Sequence, residues 1–351
     1  MSYPGYNPQS ICILRLSAIG DVCNSVAAVQ AIARRWPEAK ITWVIGKVEA
    51  MLLKDLPGVE FVIFDKNAGL QGYKDLKAAL KGQEFDVLLQ MQVALRASLA
   101  TLCIKAKYKV GFDKARAKEG QWLFRNRCIR AQENPHVLEG FMAFAEVVGV
   151  TDLSPRWEMP LTAQDESWAQ QQLDSKKRSL IISPAASKIE RNWNTEGYAK
   201  MVNHAIKRGW EVILCGGPSE FEVNLGHEIA QLCEKTPKNL IGKTSLKQML
   251  ALIKHADMVI APDTGPAHMA TTVGTPVVGL YAHSNPGRTG PYSSQKYVVS
   301  VYEHHIVSQQ QRPINMVKWG KRAKGEKLMN DISFKAVKDK FETIILEHEL
   351  A

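Results

Sequence analysis

The 351-residue sequence is short of the features that announce a function at once. No uninterrupted apolar run is long enough to span a bilayer. The opening residues 1–8 have neither the basic end nor the apolar core of a secretory signal, so a cytoplasmic protein is expected. Cysteine is sparse, with six residues at 12, 23, 103, 128, 215 and 233 and no Cys-x-x-Cys pair. Cys12 and Cys215 fall inside apolar strand patterns. Buried reduced thiols are therefore expected, and a disulfide framework or zinc site is not. Gly-x-Gly-x-x-Gly is missing after the first apolar run, which excludes a dinucleotide fingerprint. Gly242-Lys243-Thr244 resembles the end of a phosphate loop, but Pro237 stands where that loop needs glycine. His227-Glu228 lacks the second histidine of a zinc protease, and no Gly-x-Ser-x-Gly elbow occurs. No Asp-x-Asp pair offers a metal–diphosphate site.

Negative charge is also in deficit. Forty-five Lys and Arg oppose 35 Asp and Glu, a net +10. Such a surplus points to nucleic acid, an anionic membrane face or a multiply anionic substrate. Nucleic acid is the weaker partner here, because the cations lie in separate clusters with no recognisable nucleic-acid module. One cluster is Lys105, Lys107, Lys109, Lys114, Arg116, Lys118, Arg125, Arg127 and Arg130. Another is Lys318, Lys321, Arg322, Lys324 and Lys327. The plain alternative for any such cluster is a solvated face, and for the second the two readings weigh equally.

What the sequence does have is alternation. Apolar runs at 11–16, 41–45, 61–64, 87–91 and 108–112 read as strands, with helical patterns at 22–36, 73–80 and 136–148. The pattern then restarts. Strands are expected at 180–183, 211–215, 239–241, 258–261, 277–281 and 298–301, with helices at 196–208, 220–234 and 246–255. Two such series predict two α/β domains with parallel sheets, whose ligands sit at the carboxyl ends of the strands. The seam falls in the proline-bearing stretch 151–173. A basic, irregular stretch at 309–330 precedes a last helix at 334–347.

Three strand ends carry chemistry. Asp263-Thr264-Gly265-Pro266-Ala267-His268 joins a buried strand to a short helix ended by Gly274. The open N–H groups and dipole of a helix start suit a phosphate, and proline at the first turn needs no N–H. Ser183 to Trp193 follows the first strand of the second half and places Ser187, Lys188 and Arg191 before a helix. It reads either as a clamp for a leaving phosphate or as a solvated loop anchored by Trp193. The run Gly216 to Glu222 offers Ser219 as N-cap with Glu222 at the capping-box offset, or an acidic side chain for sugar hydroxyls. In the first half, Ser17-Ala18-Ile19-Gly20-Asp21 closes the first strand. Spacing alone favours Asp21 as a helix cap, and the functional reading is a carboxylate base at a cleft mouth.

Taken together, the Ser17–Asp21 turn, the Arg191-Asn192-Trp193 loop and the hexapeptide 263–268 resemble glycosyltransferase family 9, the ADP-heptose:lipopolysaccharide heptosyltransferases, of the heptosyltransferase I type. The likeness runs over residues 11–292. It implies a GT-B fold, two Rossmann-like domains facing a central cleft. The expected layout is an acceptor domain at 1–160, a nucleotide-sugar domain at 161–330, and a terminal helix at 331–351 packing back toward the N-terminal domain.

The resemblance also implies a reaction: inverting transfer of L-glycero-D-manno-heptose from ADP-heptose to Kdo of Kdo-lipid A, with neither metal nor cofactor. Asp21 takes the family's general-base position and Arg191 the place of a leaving-group cation, where many members carry lysine. Ser187, Lys188, Glu220, Glu222 and residues Asp263, Thr264, Gly265, Pro266, Ala267 and His268 become donor contacts. Ser17, Ala18, Gly20, Arg116 and Lys118 become acceptor contacts. The basic insertion 318–327 is longer than the family leads one to expect, and is expected to rest on the anionic inner leaflet or on lipid A phosphates. The enzyme would then work at the cytoplasmic face of the inner membrane. Alternatives are a related enzyme with another nucleotide sugar or acceptor, an epimerase on the same fold, or a non-catalytic nucleotide-sugar binder.

Overall fold

The computed structural model describes residues 7–350. The stretch 1–6, where part of the signal-peptide reading falls, lies outside the described residues. The chain divides between Pro160 and Leu161 into two compact units, each built on one six-stranded parallel sheet.

In the first unit the strands are β1 (Ser10–Leu14), β2 (Lys40–Gly46), β3 (Val59–Phe64), β4 (Phe85–Gln90), β5 (Ala106–Gly111) and β6 (Arg127–Cys128), in the order β3-β2-β1-β4-β5-β6. Ile11, Cys12, Ile13 and Leu14 are all fully buried. Both faces of β1 are therefore covered, which is why the sequence shows a continuous apolar run and not an alternating one. The helix Ile19–Arg35 follows β1 and packs on the helix Val137–Val147. Strand order reverses between β1 and β4, and the carboxyl ends of these two strands form the crevice typical of ligand sites in doubly wound sheets.

The second unit repeats the plan. Its strands are β7 (Ser179–Ile182), β8 (Glu211–Leu214), β9 (Lys238–Asn239), β10 (Met258–Pro262), β11 (Val277–Tyr281) and β12 (Val299–Ser300), ordered β12-β11-β10-β7-β8-β9. Here the reversal lies between β7 and β10. The loop 183–193 leaves β7 and the hexapeptide 263–268 leaves β10, so both issue from the switch point.

Three features add detail that the apolar pattern does not carry. The final helix, Phe334–Glu347, has its apolar face in the second unit. Val337, Phe341, Ile344 and Ile345 are buried in the second unit's core, and the Phe341 ring lies 5.1 Å from that of Trp210. The seam is not all linker. Residues 157–158 bind the first unit, through Trp157 Nε1 donating to the Cys23 carbonyl (2.9 Å) and the reciprocal pair Gln30–Glu158 (2.7 and 3.0 Å). A helix, Ala163–Gln172, then starts at a Thr162–Asp165 capping box and packs on the helix Leu246–His255. Finally, the basic insertion is tied down by its backbone. Ala323 N donates to the His283 carbonyl (3.0 Å), and the Tyr302 hydroxyl to the Lys321 carbonyl (2.8 Å). Its five cations remain exposed.

The six cysteines are unpaired thiols: Cys12, Cys23 and Cys215 buried, Cys103 and Cys233 half-buried, Cys128 exposed. Burial pushes the Cys23 and Cys215 thiols up to about 12. Among the described residues no helix is long and apolar enough to cross a membrane.

Candidate active site

In the first unit, β1 ends at Leu14 and the chain turns through Arg15 to Gly20 into the helix Ile19–Arg35. Asp21 is not the cap that spacing favours. Ala18 holds that position, and the helix start has no side-chain capping bond. The Asp21 carboxylate is paired instead with the Arg15 guanidinium, with side-chain exposures of 39% and 10%. Arg15 is held from behind: it donates to the Met91 carbonyl (2.7 Å) and stacks over the Phe141 ring at 5.3 Å. Leu16 N donates to Gln92 Oε1 (2.8 Å), joining the β1 end to the β4 end. The Ser17–Ala18 peptide is cis. The result is a half-exposed carboxylate in the first turn of a helix, fixed by a buried cation that sequence reading passed over. The signal was present, since a charge at the end of a buried strand requires a partner.

The basic segment after β5 separates its two expected acceptor residues. Arg116 pairs with the buried Asp113, donates to Gln132 Oε1 (2.8 Å) and lies 5.5 Å over the Phe112 ring. It braces this loop, whereas Lys118 is exposed.

In the second unit, the helix Gly265–Val273 begins at Thr264 with no side-chain cap and with proline in its first turn. The Thr264 hydroxyl therefore does not close the helix start, where the first-turn amides and the positive dipole end lie. It ends at Gly274 with φ 79°, a left-handed position that only glycine takes without strain. Asp263 stands between Arg191 and His268. Arg191 NH1 is 3.4 Å from one carboxylate oxygen and His268 Nε2 3.9 Å from the other. Burial raises the Asp263 carboxyl, but His268, the neighbouring Ser284 hydroxyl and Arg191 outweigh it and hold it below the usual range. Burial together with this carboxylate drives the Tyr281 phenol well up.

The loop bearing Arg191 is anchored as the sequence suggests. Trp193 is buried, donates to the Ile332 carbonyl (2.9 Å) and meets the Tyr198 ring edge-on at 5.2 Å. Asn192 Oδ1 accepts from Ala186 N (2.7 Å). Ser187 and Lys188 are exposed at the loop's crest. After β8, the Glu222 carboxylate is engaged with Gly217 N and the Ser219 hydroxyl, so it is a loop clasp and cap partner; Glu220 is exposed. Among the described residues no group of three or more His, Cys, Asp or Glu is arranged to hold a metal ion.

The family model for glycosyltransferase family 9 (heptosyltransferase) matches residues 73–318. The chain belongs to glycosyltransferase family 9. It is 47% identical to the lipopolysaccharide core heptosyltransferase OpsX of Haemophilus influenzae, covering 94% of this chain and 95% of that one. It is 25% identical to the Escherichia coli lipopolysaccharide heptosyltransferase 3 over 75% and 79% of the two chains. Among solved structures, the family 9 glycosyltransferase of Veillonella parvula superposes with a TM-score of 0.79 at 20% identity, covering 97% of each chain. The E. coli ADP-heptose heptosyltransferase II superposes at 0.72 and 21% identity, covering 97% and 99%. This family 9 chain is thus a glycosyltransferase with the GT-B type of fold expected from its sequence.

Proposed function

We propose that this glycosyltransferase transfers heptose from ADP-heptose to a Kdo residue of the lipopolysaccharide core, with inversion and without a metal. The observation that carries the reading is the pair of switch-point sites, a fixed carboxylate in the first unit and an uncapped helix start flanked by Arg191 in the second. In this reading the acceptor hydroxyl gives its proton to Asp21 as its oxygen attacks the anomeric carbon. The carbon–oxygen bond to the diphosphate breaks on the opposite face. General-base help of this kind contributes roughly 10²–10⁴ in rate.

The departing ADP gains charge, and Arg191, the Thr264 hydroxyl, Ser187, Lys188 and the amides of Gly265, Ala267 and His268 meet it. Pro266 shapes that turn without competing for a donor. Asp263 would repel a diphosphate, so its place is to hold Arg191 and His268 in position. Glu220 is the acidic candidate for the donor sugar hydroxyls. On the acceptor side, Ser17, Ala18 and Gly20 shape the approach to Asp21, while Lys118 meets the acceptor's carboxylate or phosphate and Arg116 shapes its loop. The acceptor is lipid-borne, so the enzyme works as a peripheral protein at an anionic membrane surface.

The test is ADP release from ADP-heptose with and without Kdo-lipid A, in the presence and absence of EDTA. Acceptor-dependent release that survives EDTA and collapses in Asp21→Ala is expected. Absence of acceptor-dependent release overturns the reaction, full turnover by Asp21→Ala overturns the base, and loss in EDTA restored by Mg²⁺ overturns the metal-free mechanism.

A further inference from the structure

The net charge is not spread evenly over the molecule. Residues 95–130 carry ten cations and two carboxylates, +8 of the chain's +10. One of those carboxylates, Asp113, is buried and paired with Arg116. The same stretch exposes an unusual amount of apolar surface. In the helix Leu95–Ala100 the buried positions are the small ones, Ala97, Ser98 and Ala100, while Leu95 and Leu99 face outward. Leu102 extends their stripe at i, i+4, i+7 spacing, 69% exposed. The one-turn helix Gln121–Phe124 packs against this helix and adds Trp122 and Leu123, the latter 75% exposed. A stripe of leucines on the solvent side of a helix, with alanines beneath it, inverts the usual amphipathic arrangement. A contiguous exposed apolar patch rimmed by charge marks an interaction surface.

Between the two elements lies a cavity of about 280 Å³ lined by Thr101, Leu102, Lys109, Leu123, Phe124, Arg125 and Asn126. It is apolar on its leucine side and cationic on the other. Lys109 Nζ donates to the Thr101 carbonyl (2.9 Å), and burial pushes this ammonium down, with the Cys103 thiol opposing. Arg125 Nε is buried with no hydrogen-bond partner. An anionic group in this cavity would satisfy both cations.

We propose that this face of the first unit docks on an anionic lipid surface, the five apolar side chains entering the acyl boundary and a headgroup phosphate entering the Lys109–Arg125 cavity. Aromatic and aliphatic side chains backed by Lys and Arg are the composition that holds interfacial segments to bilayers. The basic insertion 318–327 offers charge with much less of this: Ile314 and Met316 are its exposed large apolar neighbours. The inference goes beyond the transfer reaction, because vesicle binding can succeed or fail whatever the acceptor proves to be.

The experiment is flotation of the full chain with phosphatidylcholine vesicles, with and without about one-third phosphatidylglycerol. Wild type should float with the anionic vesicles only, less at high salt. Leu102→Ser/Leu123→Ser should weaken that binding by about tenfold or more while leaving the melting temperature and transfer to a soluble, acyl-free acceptor unchanged. Lys109→Gln/Arg125→Gln should weaken it too, and neutralising the five cations of 318–327 should weaken it less than either. Wild type that ignores anionic vesicles, or that binds heparin and not vesicles, overturns the proposal. So does a leucine variant that floats like wild type, or loss of binding through 318–327 alone.

Discussion

Arg15 and Asp263 show what single charges do in this enzyme. Each is a largely buried charge at a strand end, and each holds a residue that the proposed chemistry needs. Replacing Arg15 by methionine removes the brace from Asp21. The carboxylate stays in place on its helix but loses its fixed direction. A fall in kcat of about tenfold or more with little change in donor KM is expected, with partial rescue by Arg15→Lys; steady-state kinetics on the three proteins checks it. Asp263 gives a pH prediction. Its carboxyl titrates below the ordinary value when folded, so its pairing stabilises the protein above that value and is lost as pH falls through the folded one. The melting-temperature gap between wild type and Asp263→Asn should therefore be at its full width above about pH 5 and close as pH drops below about 4. A gap independent of pH would show that the pairing is not what the carboxylate contributes.

At the scale of elements, the loop proposed to hold the donor depends on how Trp193 packs. A Cβ on Gly197 would come within 2.5 Å of the Trp193 ring, so Gly197→Ala must displace the indole and with it the loop carrying Ser187 and Arg191. A loss of about 1–3 kcal/mol and a raised donor KM are expected, read by denaturant unfolding and kinetics. Thr162→Ala should cost about 1 kcal/mol, because Thr162 and Asp165 cap the helix Ala163–Gln172 reciprocally. These two elements also mark what the sequence made readable. Trp193 as an anchor and the strands β7, β10 and β11 were legible, because apolar runs bounded by Gly, Pro and Ser admit few other readings. The helix Ala163–Gln172 was passed over because it buries only Ala169, leaving no periodic stripe to see. Its capping box was the available signal. The helices Lys47–Leu53 and Leu95–Ala100 are too short for periodicity to stand out, and the second of these buries its small residues instead of its leucines. The carboxylate of Glu222 was readable as a cap partner or as a sugar contact, and only its bond to Gly217 N separated the two.

For the molecule as a whole, the proposed division of labour follows the division of the chain. Every expected donor residue lies beyond Leu161, and the second unit has its own core, which includes the final helix. Residues 161–351 expressed alone should fold, show a melting temperature raised by ADP, and catalyse no transfer; a fragment that melts unchanged with ADP would place part of the nucleotide site elsewhere. The two units carry +5 each, but in the first the charge is concentrated: residues 95–130 hold +8 and the rest of that unit is net acidic. Association with anionic lipid should accordingly follow that unit and weaken with ionic strength.

The distribution of thiols makes this measurable without engineering. Three cysteines are sealed in the cores, two more are partly covered and pushed up by burial, and Cys128 alone among the described cysteines is exposed. It lies in β6 beside Arg127, close in sequence to Trp122 and Leu123. A maleimide dye of environment-sensitive colour would settle there preferentially in the native chain. The wild-type protein thus comes with a built-in fluorescence reporter for the face that we infer meets lipid.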